Sequence, residues 1–398
     1  MYETGINQDN AQQINRELVL RFLRKNEGCS RIELAKMTNL KPATITNIIN
    51  DFQDMGIVRE MGTISEGKGR SAIRLALNPE SYTVVSVRLT RKEIIVGAFD
   101  IRGDKLQTER FAIKAGEKPE YIIRDMKQCI HKAIDEWAVG EVAAIGCAVP
   151  GPFLREEGMV ALMTGASVWK DVNIREELEK EFGLPIFMEH DANAGALAYY
   201  WRNGSELQQT LVYMAVGQGV GAGIVQNGEL LVGRLGVAGE IGHMSISYNG
   251  RYCECGNRGC LETYCSTLAF TKEINRKILD GNYSVLRPNS TFEEIVEAIK
   301  LNDRLAVDEY RSACDLLAVG VINIINILNP DVIVMEEDMA AVAPDILKES
   351  LEKVVKPSII KEMWDNLKIV IGEGDKEAVL AGVSILAMDE VLRIYFRK

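Results

Sequence analysis

"HMSISYNGRYCECGNRGCLE", residues 243–262, puts Cys253, Cys255 and Cys260 within eight residues, just after one of only three histidines in the 398-residue chain. With His243 the spacing is H-x9-C-x-C-x4-C. Thiolate sulfur and imidazole nitrogen are the donors that tetrahedral zinc takes, and four of them leave no coordination position open. His243, Cys253, Cys255 and Cys260 therefore read as a structural zinc site, with Gly256 and Gly259 supplying the tight turns that close-spaced sulfurs need. Coincidental free thiols are the alternative, and three of eight cysteines in one short loop argue against it. The start, "MYETGINQDN", lacks the charged-then-apolar layout of an export signal, so the expected compartment is the reducing cytoplasm, where clustered cysteines mean metal or chemistry and not disulfides. Cys29, Cys129, Cys147, Cys265 and Cys314 read as ordinary core thiols.

Outward from that loop, strands alternate with helices. "YTVVSVRL" (82–89) and "EIIVGAFD" (93–100) are β-rich, "PEYIIRDMKQCIHKAIDEWA" (119–138) has helical spacing, and "VAAIGCAVPGP" (142–152) is a buried strand entering a turn. A second block, "TLVYMAVGQGVGAGIVQNGELLVG" (210–233), repeats the order of apolar strand, short turn, apolar strand and polar Gly turn. One duplicated α/β lobe is implied, the layout of the actin and hexokinase-like ATPase fold. Gly217, Gly219, Gly221 and Gly223 suit a phosphate-gripping hairpin or merely a tight one. The first block has Arg88, Leu89 and Thr90 where such a grip needs an acidic residue and glycines. The apolar run 316–328 is broken by Asn323 and Asn326 and ends at Asn329-Pro330, which predicts a buried helix and not a membrane span.

Residues 1–80 read differently. Ile14, Leu18, Val19, Phe22 and Leu23 recur at helical spacing, predicting a helix over 14–26. Ser30 with Glu33 three residues on is a capping box for a second helix. Pro42 suits the first turn of a third, in which Ile45, Ile48, Ile49, Phe52 and Met55 form one stripe and Ala43, Thr46, Asn47 and Asn50 the opposite face. Two short strands, 57–61 and 71–77, joined by "SEGKGR", complete a winged helix-turn-helix. Its third helix would enter the major groove of operator DNA, with Thr46, Asn47 and Asn50 reaching base edges and Lys41 and Thr44 near the helix start. Lys68 and Arg70 at the wing tip would meet phosphates or a narrow minor groove. A small helical protein-interaction domain shares the three-helix pattern but not the basic hairpin.

Charge supports that division. The first eighty residues carry 11 Lys and Arg against 10 Asp and Glu, a net +1, so the remainder of a chain with net charge −11 carries −12. The acidic body repels nucleic acid, and the first segment alone can approach it.

"GEIGHM" followed by "CECGNRGCLE", with "AVPGP" and "EHDANAGALA", resembles the signature motifs of the ROK family (repressors, open reading frames and kinases). The resemblance covers nearly the whole chain. It implies a ROK sugar-binding domain over 81–398, with two lobes, a hinge near 190 and a C-terminal helix returning to the first lobe. Zinc would lie beside the sugar site, and the assembly would be a homodimer or homotetramer. The family's sugar contacts fall on Asp191, Glu240, His243 and Glu262, and His190 stands where the family's kinases carry Asn. Two functions follow. One is a sugar-responsive DNA-binding repressor of carbohydrate genes, not an enzyme. The other is an ATP-dependent sugar kinase with Asp191 as the base. The family's kinases have an Asp-x-Gly-x-Thr turn where this chain has "VRLTR", and a Gly-Gly pair where it has Glu336 and Glu337. The expectation is therefore the repressor, with no ATP.

Overall fold

The computed structural model describes residues 8–64, 72–114, 116–154, 158–160, 172–203, 210–372 and 376–396. The N-terminal segment has three helices, α1 (Gln8–Lys25), α2 (Arg31–Thr38) and α3 (Pro42–Asp54), followed by antiparallel strands β1 (Val58–Ile64) and β2 (Ala72–Leu77). The Ser30 hydroxyl accepts from the Glu33 N–H while the Glu33 carboxylate accepts the Ser30 N–H at 2.7 Å, the reciprocal cap expected. Asn39, with φ 56°, turns the chain out of α2. Ile45, Ile48, Ile49 and Phe52 are buried beneath α3, and Met55 ends the helix. α1 starts six residues earlier than its apolar period predicts, because residues 8–13 are polar and carry no stripe. Ile14 is 52% exposed, so the buried stripe is made by Val19, Leu20 and Leu23.

The first lobe follows with β3 (Tyr82–Leu89), β4 (Glu93–Asp100), β5 (Lys105–Ala112), α4 (Pro119–Lys132), β6 (Glu141–Val149), a small hairpin of β7 (Phe153–Leu154) and β8 (Met159–Val160), α5 (Ile174–Phe182) and β9 (Ile186–His190). Its sheet has the order β5-β4-β3-β6-β9. After α6 (Asp191–Asn203), the second lobe runs β10 (Thr210–Val216), β11 (Val220–Gln226), β12 (Glu229–Leu230), α7 (Glu262–Cys265), α8 (Thr267–Leu279), α9 (Phe292–Lys300) and α10 (Arg304–Leu328). It ends with β13 (Val332–Glu336), α11 (Asp338–Ala341), α12 (Pro344–Val354), α13 (Lys361–Asp365) and β14 (Lys368–Ile371), and the chain closes with α14 (Lys376–Phe396), which from Leu380 on belongs with the first lobe. Its sheet has the order β12-β11-β10-β13-β14. In both sheets the first strand of the block is antiparallel to the second and parallel to the fourth. The repeat visible in the sequence is thus a repeat of topology.

Two compact units are present. One gathers the described residues of Met1–Ala148, Ile174–Met188 and Leu380–Lys398, and the other those of Val149–Asn173 and Glu189–Val379. In the first unit the winged helix shares one core with the sheet and α14. Val19, Leu23 and Phe52 join Val84, Ala144, Met388 and Leu392. Phe396 stacks on Phe52 with ring centroids 5.5 Å apart, and Arg24 donates to Asp389 at 2.9 Å. In the second unit α10 is, among the described residues, the one helix long and apolar enough to cross a membrane. It is a core helix. Tyr310, Cys314, Leu317, Val321 and Ile324 sit in the largest apolar cluster, and the Tyr310 hydroxyl donates to the Met339 carbonyl at 2.9 Å.

Candidate metal centre, ligand cluster and DNA-reading helix

The cysteine loop is folded back on itself by backbone bonds. The Ile246 N–H donates to the Gly259 carbonyl, Gly259 to Arg251, Cys253 to Asn257 and Leu261 to Met244, at 2.7–3.0 Å. Gly256 has φ +92° and Gly259 φ +69°, and a Cβ on Gly259 would lie 1.9 Å from the Ser247 oxygen, so both turns require glycine. One donor atom each from His243, Cys253, Cys255 and Cys260 lies within 4.8 Å of the others. Bonds of about 2.3 Å to sulfur and 2.0–2.1 Å to nitrogen place tetrahedral donors about 3.6–3.8 Å apart. Cys255 and Cys260 Sγ are 3.7 Å apart, as are Cys253 Sγ and His243 Nδ1. The four residues fit one metal ion. Burial pushes the Cys253 and Cys260 thiols up, and a bound cation supplies the opposing charge. The core thiols belong to no such donor cluster among the described residues. Burial raises Cys29 to about 11 and Cys129, Cys147 and Cys314 to about 12, which leaves them inert.

The remaining candidates gather beside this centre, within the second unit. His243 turns Nδ1 toward the sulfurs and Nε2 toward Glu240, 4.0 Å from its carboxylate. Glu262 Oε1 lies 3.6 Å from His243 Nδ1 and 3.4 Å from Cys253 Sγ. His190 Nε2 is 3.4 Å from Asp191 Oδ1. Desolvation pushes the Glu240 carboxyl above the usual range, opposed by His190 and His243 and reinforced by Asp191 and Glu262, so all four lie within electrostatic reach of Glu240.

Bare backbone makes this convergence possible. A Cβ on Gly239 or Gly242 would lie 2.0 Å from the carbonyl oxygens of Ala222 and Val220, so the turn carrying Glu240 and His243 rests directly on β11. On the other face of the site, a Cβ on Gly223 would lie 2.2 Å from the Ala192 oxygen, and one on Gly221 3.0 Å from the His190 ring. Two glycines of the β10–β11 hairpin thus serve to seat α6 and His190. A Cβ on Gly320 would lie 2.6 Å from the Leu261 side chain, so α10 approaches closely just before Glu262. Glu189 and Asn193 belong to the site's frame and were not among the sequence candidates. The buried Glu189 carboxylate accepts from the His190 N–H and from Asn193 Nδ2, both at 2.9 Å, and ties the end of β9 to α6. A buried charge four residues from a buried amide was the available signal.

On α3, Ala43, Thr46, Asn47 and Asn50 are exposed, Lys41 is an exposed cap residue and Thr44 is half-buried. The Thr46 hydroxyl donates back to the Pro42 carbonyl at 3.0 Å. Sequence reading did not include Arg31 of α2, whose guanidinium bonds Gln53 of α3. Lys68 and Arg70 lie outside the described residues.

A winged helix-turn-helix DNA-binding profile matches residues 13–59, and the ROK family profile matches residues 84–390. The chain belongs to the ROK family. It is 30% identical to a putative xylose repressor of Caldicellulosiruptor sp. (strain Rt8B.4), with 95% of this chain and 96% of that one covered. It is 27% identical to the DNA-binding transcriptional dual regulator NagC of Escherichia coli (strain K12), covering 96% and 94%. A crystal structure of a ROK family transcriptional regulator, a homolog of the E. coli Mlc protein, matches with a TM-score of 0.82 at 29% identity, covering 97% of this chain and 98% of that one.

ROK membership alone leaves repressor and kinase open, so the two glycine-poor positions matter. Thr90 closes the β3–β4 turn through its hydroxyl, which donates to the Glu93 carbonyl at 2.9 Å and accepts from the Lys92 and Glu93 N–H groups. Arg88 is 3% exposed within the strand. Glu337 has φ 80° and ψ 177°, a region that is essentially glycine's and costs about 1–3 kcal/mol for other residues. A Cβ on Gly217 would lie 3.4 Å from Glu337 Cβ, so this side chain stands against the turn of the β10–β11 hairpin. The Glu336 carboxylate likewise packs on Gly372 at the end of β14.

Proposed function

We propose that the chain is a cytoplasmic transcriptional repressor of carbohydrate-utilisation genes whose operator binding is controlled by a sugar held by His190, Asp191, Glu240, His243 and Glu262. The observation that carries this reading is one chain holding both an exposed amide face on a winged helix and a cluster of carboxylates and imidazoles beside a metal-fitting centre. Carboxylates accept hydrogen bonds from sugar hydroxyls, and a histidine with one nitrogen on a metal offers its other N–H. The metal is zinc, one ion per chain, because three sulfurs and one nitrogen suit it. It would hold His243 and, through the loop, Glu262 in place. Two chains at least would bind a palindromic or inverted-repeat operator as a homodimer or homotetramer, with the third helices about one helical turn, or a multiple of it, apart. Lys41, Thr44, Thr46, Asn47 and Asn50 form the face toward DNA, joined by Lys68 and Arg70 of the wing. The likeness to repressors named for xylose and to NagC supports a sugar effector and leaves its identity to a screen.

The kinase alternative retains its base in Asp191. Glu336 and Glu337 speak against it, since two carboxylates add bulk and negative charge where a nucleotide would have to sit. No sugar is expected to be phosphorylated at an enzymatic rate. Robust ATP-dependent turnover with any sugar overturns the repressor reading. The direct test pairs a thermal-shift screen over pentoses, hexoses, amino sugars and short oligosaccharides with operator titrations with and without the best ligand. Sugar must shift operator affinity, and operator must shift sugar affinity by the same factor. Equal operator affinity at saturating sugar sinks the proposed control.

A further inference from the structure

We propose that Arg31 is a positioning residue for sequence reading: it holds the Asn50 amide with its oxygen inward and its NH2 outward, so that Asn50 reads hydrogen-bond acceptors on a base edge. This rests on the operator-binding reading above.

Arg31 is the first residue of α2, where the helix presents its positive end and a cation gains nothing from the dipole. Its placement is explained by what it touches. Nη2 donates to Gln53 Oε1 at 2.9 Å and stands 3.5 Å from Asn50 Oδ1, both on α3. Gln53 Nε2 in turn donates to Glu60 Oε1 of β1 at 3.3 Å. Gln53 is engaged at both ends of its amide and acts as a strut between α2, α3 and the wing.

The contact with Asn50 is long for a hydrogen bond, and its effect is orientation. A guanidinium has donors and no acceptor, so only the amide oxygen can face it. The flipped amide would set its NH2 against a cation. Reading adenine bidentately needs the oxygen and the nitrogen of an amide together, to meet N6–H and N7. Asn50, with its oxygen committed inward, presents donors alone, which suit guanine O6 and N7 or thymine O4. Asn47 lies three residues earlier on the same exposed face and makes no side-chain hydrogen bond among the described residues. It keeps the donor–acceptor pair that adenine requires. One arginine thus gives two asparagines different base preferences.

The test uses the full-length protein. Wild type selects its preferred duplex from a random-core DNA library, and every single-base variant of that duplex is then titrated with wild type, Arg31→Ala, Arg31→Lys, Asn50→Ala and the Arg31→Ala/Asn50→Ala pair. We expect Asn50→Ala to relax one base pair, with guanine or thymine preferred there by wild type. Arg31→Ala should relax the same position by about ten-fold, leaving other positions and the salt slope unchanged. The double variant should add little to Asn50→Ala, because the arginine acts through that amide. Arg31→Lys keeps the charge but loses the rigid, planar guanidinium whose Nη2 meets both Gln53 and Asn50, and should resemble Arg31→Ala. Independent, additive effects overturn the proposal. So does an even loss across all sequences with the salt slope falling by about one, rescued by lysine, which is the signature of a phosphate contact. A wild type that selects no sequence overturns operator binding itself, an outcome distinct from an arginine that leaves the profile untouched.

Discussion

Replacing Cys255 or Cys260 with Ser is expected to lower the metal content from about one ion per chain to less than a tenth of that, and to abolish any sugar-induced thermal shift at the same time. The argument runs from burial. Between residues 247 and 258, Cys253 and half-buried Gly250 are the only positions not exposed, and Tyr248 and Tyr252 are 90% and 69% exposed. Such a loop has almost no apolar surface of its own to bury, so beyond a few backbone bonds and the contacts of Arg251 with Thr263, Tyr264 and Glu273, the proposed metal would supply its order. A structural zinc contributes about 10–16 kcal/mol in small peptides that fold around it. Here the neighbouring sheet has its own core, so the loss should fall on the loop. Hydrogen exchange over 245–258 should rise steeply while β10, β11 and β13 stay protected. His243 and Glu262 flank the loop at both ends, so ligand binding should fail with it. Cys265→Ser is the control. That thiol is buried and contacts the Ala313 carbonyl at 3.3 Å, away from the four donors. It should keep the metal and lose about 1–2 kcal/mol of stability. Undiminished sugar binding by metal-free protein sinks the claim that the metal organises the site.

What the sequence made legible is what local spacing can carry. The capping box at Ser30, the α3 stripe and the H-x9-C-x-C-x4-C cluster all lie within twenty residues of themselves, and each has the geometry its spacing implies. The winged helix's seat was not legible, because Arg24 and Asp389 are 365 residues apart and neither stands out in its own neighbourhood. Arg31 escaped for a related reason. Periodicity assigns it to the start of α2, and its meaning appears once α3 lies across it. The glycines of β11 were seen, but their packing partners were not. A Gly-rich hairpin suits phosphate or close packing equally well in sequence, and the approach of His190 to bare backbone at Gly221 and of Ala192 at Gly223 appears only in the fold. The wider lesson is that donors and acceptors can be read from spacing, whereas the surfaces that aim them belong to the fold.

Gly242→Ala should be the most damaging substitution of a residue that is itself no ligand. Its Cβ would lie 2.0 Å from the Val220 oxygen and 3.0 Å from the Val220 carbonyl carbon. Both are backbone atoms of a strand paired with β10, so neither can rotate away. The turn from Glu240 to His243 must then lift off β11, carrying one carboxylate of the proposed sugar site and one donor of the metal centre. A forced clash of this kind costs about 3 kcal/mol or more, which corresponds to a fall in Tm of about 10 °C for a unit of this size. Gly281→Ala separates that clash from ordinary backbone strain. Gly281 has φ +88° and open space around it, so alanine there meets the left-handed penalty of about 1–2 kcal/mol and nothing else. The expected pattern is a modest loss of stability with normal metal content for Gly281→Ala. For Gly242→Ala it is a larger loss, with metal content and sugar response reduced at least about ten-fold, the equivalent of 1.4 kcal/mol or more at each site. Thermal unfolding, metal analysis and the sugar thermal shift read the two variants side by side. Equal stabilities, or full metal and sugar response in Gly242→Ala, would mean that the turn does not rest on the strand as described and that something other than bare backbone aims Glu240 and His243.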